Sequence, residues 1–203
     1  RPVPVGDRVE REGLAPLGGP RAEFRPTVGV AERVDGLDEP LDVVPASVGV
    51  GRGVRPVARV EGYHLTAIDL DPEALAAIED AVDETTEDVA AARDADIAVL
   101  AVKPDVAPAV LDDLDLREDQ QLVTLAAGLP REFVAARTDA TVVRIMPNLA
   151  AETGNMAAAA TNAGLTDEVR AMLDAVGEFV EVDESLMHVS TAVNGSGPAF
   201  AFY

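Results

Sequence analysis

Asp96-Ile97-Ala98-Val99-Leu100-Ala101-Val102, followed at once by Lys103-Pro104, is the stretch that decides the fold. A continuous apolar run of strand length leaves no face for water, so it reads as a strand buried on both sides, as in a parallel sheet. Working outward, strands and helices alternate. Residues 64–69 read as a short strand, and Asp71-Pro72 opens a helix with an acidic cap and a proline in its first turn. Ala74, Leu75, Ile78 and Val82 give that helix an apolar face. Residues 106–114 read as a helix, 121–126 and 141–146 as strands, and 131–137 as the helix between them. This alternation predicts an α/β fold built on a doubly wound parallel sheet. After Thr153 the pattern changes: 155–161 reads as an edge strand, 167–176 as a helix ended at Gly177, 179–182 as a last strand, and a helix begins at Ser185.

Residues 1–60 differ in kind. They hold eight of the fourteen prolines and nine of the sixteen glycines, and prolines interrupt every candidate period. This segment is expected to be poorly ordered. Charge divides the chain at the same place. Up to Val60 nine arginines balance nine acids, whereas beyond it seven basic residues face twenty-eight acidic ones, and Lys103 is the one lysine of the chain. An acidic surface almost free of lysine suits multimolar salt, where a Debye length of about 3 Å removes carboxylate repulsion. A halophilic cytosol is the expectation, a merely acidic surface the alternative. Nucleic acid is an improbable partner for such a surface. The chain has no cysteine, hence neither a disulfide framework nor cysteine metal ligands, and no metal site is expected. No eighteen-residue apolar run exists and the first residues lack the core of a secretory signal, so no membrane role and a cytoplasmic location are expected.

Four strand ends carry the candidate chemistry. Asp69 ends a strand just before a turn and helix; it suits a helix cap, or a carboxylate receiving the two hydroxyls of an adenosine ribose and repelling a 2′-phosphate. Ala101-Val102-Lys103-Pro104 ends the buried strand, where a lysine is either solvated or set against a ligand at the sheet's carboxyl edge. Leu125-Ala126-Ala127-Gly128 ends the next strand with residues small enough for close backbone approach. Arg144-Ile145-Met146-Pro147-Asn148 closes the following one, with Asn148 a loop former or a polar contact. Near the end, Gly195-Ser196-Gly197-Pro198-Ala199 is expected to break a helix and free amides and a hydroxyl, or to be a plain turn. Ser196 lacks the flanks of a hydrolase nucleophile, and neither His64 nor His188 has a triad context. A phosphate-binding glycine turn should precede Asp69, and the one candidate is Gly49-Val50-Gly51-Arg52-Gly53-Val54, whose third glycine position holds Val54. Either residues 1–60 are an unrelated, out-of-frame start, or a diverged loop does the same work.

Together, Ala101-Val102-Lys103-Pro104, Arg144-Ile145-Met146-Pro147-Asn148 and Thr191 with Gly195-Ser196-Gly197-Pro198-Ala199 resemble the signature set of pyrroline-5-carboxylate reductases, from about Gly62 to Tyr203. The resemblance implies a Rossmann-like domain over 61–183, incomplete at its first strand, and the start of an α-helical dimerisation domain over 184–203. It implies reduction of 1-pyrroline-5-carboxylate to L-proline with NADPH or NADH, Asp69 leaning toward NADH, and a homo-oligomer for the intact family member. The implied cofactor contacts are Asp69, Ala101, Val102, Lys103, Pro104, Ala126, Ala127, Gly128 and Asn148; Asn148, Thr191, Ser196 and Gly197 face the substrate, with the family's substrate loop expected beyond Tyr203. The alternative is a non-catalytic fragment lacking the phosphate and substrate loops. His188 and Asn194 depart from the family pattern, which commonly has an acidic and a small residue there.

Overall fold

A computed structural model of the chain describes residues 27–33, 63–148, 150–151 and 155–197. Its strands are β1 (Thr27–Arg33), β2 (Tyr63–Asp69), β3 (Glu84–Thr86), β4 (Ile97–Leu100), β5 (Gln121–Thr124), β6 (Thr141–Pro147), β7 (Met156–Thr161) and β8 (Gly177–Val182). The helices are α1 (Pro72–Ala76), α2 (Ala107–Asp113), α3 (Arg131–Ala135), α4 (Asp167–Asp174) and α5 (Met187–Thr191). The strands form one sheet in the order β3-β2-β1-β4-β5-β6-β7-β8.

The apolar run at β4 does what its composition requires. All four of its residues are buried: Ala98 and Leu100 pack with Leu111, Leu122 and Val134 on one face, and Ile97 and Val99 with Val143, Val169 and Leu173 on the other. Each fully buried Leu or Ile contributes about 1.5–3 kcal/mol, so β4 anchors both layers at once. One face is covered by the 3-10 turn Val89–Asp94, α2 and α3; the other is covered by α1 and α4. The fold is thus Rossmann-like, with β4, β5 and β6 parallel in register and β3 parallel to β2.

Several boundaries move from their expected places. In the slot of the first strand lies β1, which runs antiparallel to both β2 and β4 and comes from the stretch expected to be poorly ordered. The rest of residues 1–60 lies outside the described residues. Helix α1 stops at Ala76 and gives way to a 3-10 turn at Glu79–Ala81, because acids rather than bases sit at its carboxyl end, the wrong sign for the helix dipole. Asp83 then ties the chain to β2: its N–H donates to Leu65 O at 2.9 Å, and its Oδ2 accepts from Leu65 N–H at 2.9 Å. That turn leads into β3, which the sequence did not announce.

The expected edge strand is interior. Alanine-rich β7 is sandwiched between antiparallel β6 and parallel β8, and the true edge is β8, whose Val180 is exposed. Gly177 opens β8 instead of ending α4; a Cβ there would sit 2.2 Å from Met156 O, so the two strand starts meet at backbone distance. The expected break at Gly195-Ser196-Gly197 is also absent from the described residues. After the 3-10 turn Glu184–Leu186 and α5, the chain widens into a π turn over Ala192–Ser196, and Gly197 keeps helical angles, φ −53° and ψ −46°. A π turn absorbs an extra residue without ending the helix.

Candidate functional site

Because β2, β4, β5 and β6 all run the same way, the chain leaves them at one common edge, through Asp69, Ala101, Leu125 and Asn148. Ligands of open α/β sheets bind at that carboxyl edge. From β2 to β6 are four inter-strand spacings, roughly 19 Å at about 4.8 Å each. Lys103, Gly128 and Asn148 therefore share one rim.

At the β2 end, Asp69 is buried, and its Oδ1 accepts the N–H of Asp71 at 2.9 Å. Asp71 in turn caps α1, its Oδ1 accepting from Glu73 N–H at 3.0 Å. Asp71, not Asp69, is thus the helix cap, and Asp69 holds the turn that leads into it. Beside it opens a cleft of about 130 Å³, lined by Asp69, Leu70, Val106, Val110 and Asp113 among others. Leu70 stands half exposed at its mouth. Ligand pockets are typically about 300–1,000 Å³, so this cleft is too small to enclose a whole dinucleotide.

Ala101 and Val102 are buried, while Lys103 is exposed at the β4 end; its carbonyl accepts from Val106 and Ala107 N–H at 3.1 Å, which turns the chain into α2. Pro104 sits within that turn. At the β5 end Ala126 is buried, Ala127 and Gly128 are exposed, and Gly128 has φ +84° with open space where a Cβ would stand. At the β6 end Asn148 continues the ladder with its side chain: Oδ1 accepts Ala157 N–H at 3.1 Å, and its own N–H donates to Ala157 O at 3.0 Å. The side-chain carbonyl of Asn148 is thereby engaged with the start of β7.

The last helix packs against this strand end. Met187 is fully buried with Met146 and Ala159, and Asn194 Nδ2 reaches Met146 O at 3.5 Å. Thr191 donates its hydroxyl to Met187 O at 2.7 Å, the back-bond a helical threonine makes, so that group serves its own helix. Gly197 keeps open space around its Cα; the backbone of Ser196 lies in the π turn. Sequence reasoning missed three features: the apolar cleft of Leu70, Val106 and Val110, the Asn194 contact, and a partly buried ion pair between the fully buried Arg144 Nη1 and Glu184 Oε1 at 2.7 Å. The signal for the last was present, since Arg144 is the one charge in an otherwise apolar strand.

The edge fits a dinucleotide at its two ends better than at its middle. A buried carboxylate and an apolar cleft lie at β2, and small residues with a left-handed glycine lie at β5. The middle needs a strand that runs into a glycine turn and then a helix. Antiparallel β1 presents its start, Thr27, at that edge, paired with Asp69, and the Gly49–Gly53 stretch lies outside the described residues.

A family model described as NADP oxidoreductase, coenzyme F420-dependent, matches residues 49–128, a span that takes in that glycine stretch. Pyrroline-5-carboxylate reductase of Methanosarcina acetivorans is 37% identical over 127 residues, covering 58% of this chain and 47% of the relative. Among solved structures, a pyrroline-5-carboxylate reductase from Coxiella burnetii superposes with a TM-score of 0.59 at 26% identity, covering 66% of this chain and 55% of that one. The chain is pyrroline-5-carboxylate reductase-like. The Plasmodium falciparum pyrroline carboxylate reductase, solved with NADP bound, matches this reductase-like chain at TM-score 0.54 and 25% identity, over 60% of this chain and 50% of that one. The reductase-like chain spans about half the length of the curated relatives it matches. Among its described residues no helix is long and apolar enough to cross a membrane.

Proposed function

We propose that this fold reduces 1-pyrroline-5-carboxylate to L-proline by hydride transfer from a nicotinamide dinucleotide. The observation that carries the reading is the common rim of Asp69, Lys103, Gly128 and Asn148 in a chain whose relatives bear that activity in their names. When bound, the reduced nicotinamide would supply a hydride to the carbon of a protonated cyclic imine, the C=N π pair passing to the ring nitrogen to leave a single C–N bond. Such an imine is already electrophilic, so side chains have mainly to position the two reactants.

The residues divide that work along the rim. Asp69 and the Leu70–Val106–Val110 cleft take the adenosine end, and a carboxylate there disfavours a 2′-phosphate, which supports NADH over NADPH. Lys103 offers a positive charge toward the phosphates. Gly128 lets the backbone approach the nicotinamide half, and the Asn148 amide with the 191–197 helix borders the substrate side. The same reading expects a cytoplasmic homo-oligomer. A second reading, a non-catalytic sheet that does not hold the dinucleotide, is favoured by antiparallel β1, which does not run into a glycine turn at the ligand edge. The test is to mix the chain in high salt with pyrroline-5-carboxylate and NADH or NADPH and follow the nicotinamide absorbance. Turnover with either cofactor supports the reductase; no turnover, together with no cofactor-induced rise in melting temperature, supports the non-catalytic sheet.

A further inference from the structure

Arg144 sits mid-strand in β6 with none of its side chain exposed. Its Nη1 donates to Glu184 Oε1 at 2.7 Å, and the same oxygen accepts the Arg131 N–H at 3.2 Å. Arg131 reaches back through Nη1 to Val142 O at 3.3 Å. Three elements therefore converge on one carboxylate: β6, the start of α3, and the turn that opens the last helix. The contact is single-pronged, and among the described residues Arg144 Nε and Nη2 and Glu184 Oε2 are buried without a hydrogen-bond partner. Such a pair is weak evidence for stability, since apolar residues of like volume often serve as well; the Glu184 side chain itself keeps 33% of its surface exposed.

What the pair does control is placement. Glu184 starts the helix whose Met187 packs on Met146 and whose Asn194 meets the Met146 carbonyl, two residues before Asn148. We infer that the Arg144–Glu184 pair is a positioning element, holding the 187–197 helix in register against the strand end that presents Asn148. The inference takes its kinetic readout from the proposed reductase reading.

The test compares the full chain with Arg144→Lys and with Arg144→Met/Glu184→Leu, a double change that fills the site with apolar volume and so keeps the protein folded. In the double variant kcat should fall by about ten- to a hundredfold, the penalty of a misplacement near 1 Å, while the cofactor KM stays within about threefold. Arg144→Lys, able to make the same single contact, should keep at least about a third of kcat. A folded double variant with kcat within about twofold of the parent, or a lysine variant as slow as the double one, overturns the inference. If the parent turns nothing over, the reductase reading fails and hydrogen exchange decides instead. Protection of amides 187–197 should then drop about tenfold in the double variant while β4 and β5 keep theirs, and unchanged protection overturns the inference.

Discussion

Gly128 and Gly164 form a matched pair for testing the geometry, because their backbones are alike and their surroundings are not. Both are left-handed, with φ +84° and +81°. A Cβ on Gly128 would meet nothing within 4 Å, whereas one on Gly164 would lie 2.0 Å from the Val142 carbonyl oxygen and 2.8 Å from its carbon. Alanine at either site costs about 1–2 kcal/mol for the left-handed conformation. At Gly164 the clash is with backbone inside β6, which no side-chain rotation relieves, and overpacking of this kind adds about 1–3 kcal/mol. Gly128→Ala should therefore destabilise by about 1–2 kcal/mol and Gly164→Ala by about 2–5, or melting shifts of roughly 2–8 °C and 4–20 °C for a chain of this size. Denaturant and thermal melts of both variants against the parent measure the difference. A Gly164→Ala variant as stable as Gly128→Ala would refute the placement of that turn against β6. Function should invert the order: Gly128→Ala, at the rim, should raise the cofactor KM more than Gly164→Ala does.

Asp69→Ser should raise the kcat/KM ratio of NADPH over NADH by about tenfold, one step of about 1.4 kcal/mol, and an unchanged ratio would place the ribose elsewhere. The exposed Arg170–Glu181 pair holds the Glu181 carboxyl below its ordinary value, through the hydrogen bond from Arg170 first and its charge after that. A lowered carboxylate contributes stability above its unfolded value and loses it as pH falls through the folded value, so Glu181→Gln should flatten the acid limb of the stability curve at low salt. At about 1 M salt, where the Debye length is about 3 Å, parent and variant should coincide. Melting temperature should climb with added KCl if the surplus of carboxylates beyond Val60 is a salt adaptation; full stability without salt would make the surface merely acidic.

The parts of the fold that read directly from sequence are those where local composition leaves one choice. Ile97–Leu100 is apolar on both alternate sets, so it had to be an interior strand; the positions of Lys103, Gly128 and Asn148 were legible because each comes soon after a strand, and that of Asp69 because it ends one. What stayed hidden depends on partners distant in the chain. Thr27–Arg33 gains its place by pairing with β2 and β4, far beyond it in sequence. The interior position of β7 depends on β8, which arrives after α4, and its alanines carry no sign of it. Arg144 and Glu184 are 40 residues apart, so neither announces the other. The glycines near 195 read as breakers because glycine permits other conformations, yet packing of Met187 and Asn194 on β6 keeps the backbone helical through Gly197.

The claim that most depends on the geometry is that four strand ends make one ligand rim. An isotope-labelled sample titrated with NADH, followed by amide resonances, tests it directly. The account predicts that Leu70, Lys103, Gly128 and Asn148 shift together along one saturable curve. Shifts confined to one strand end, or gathered instead at the cleft of His64, Glu84 and Asp94 along β2 and β3, would contradict it.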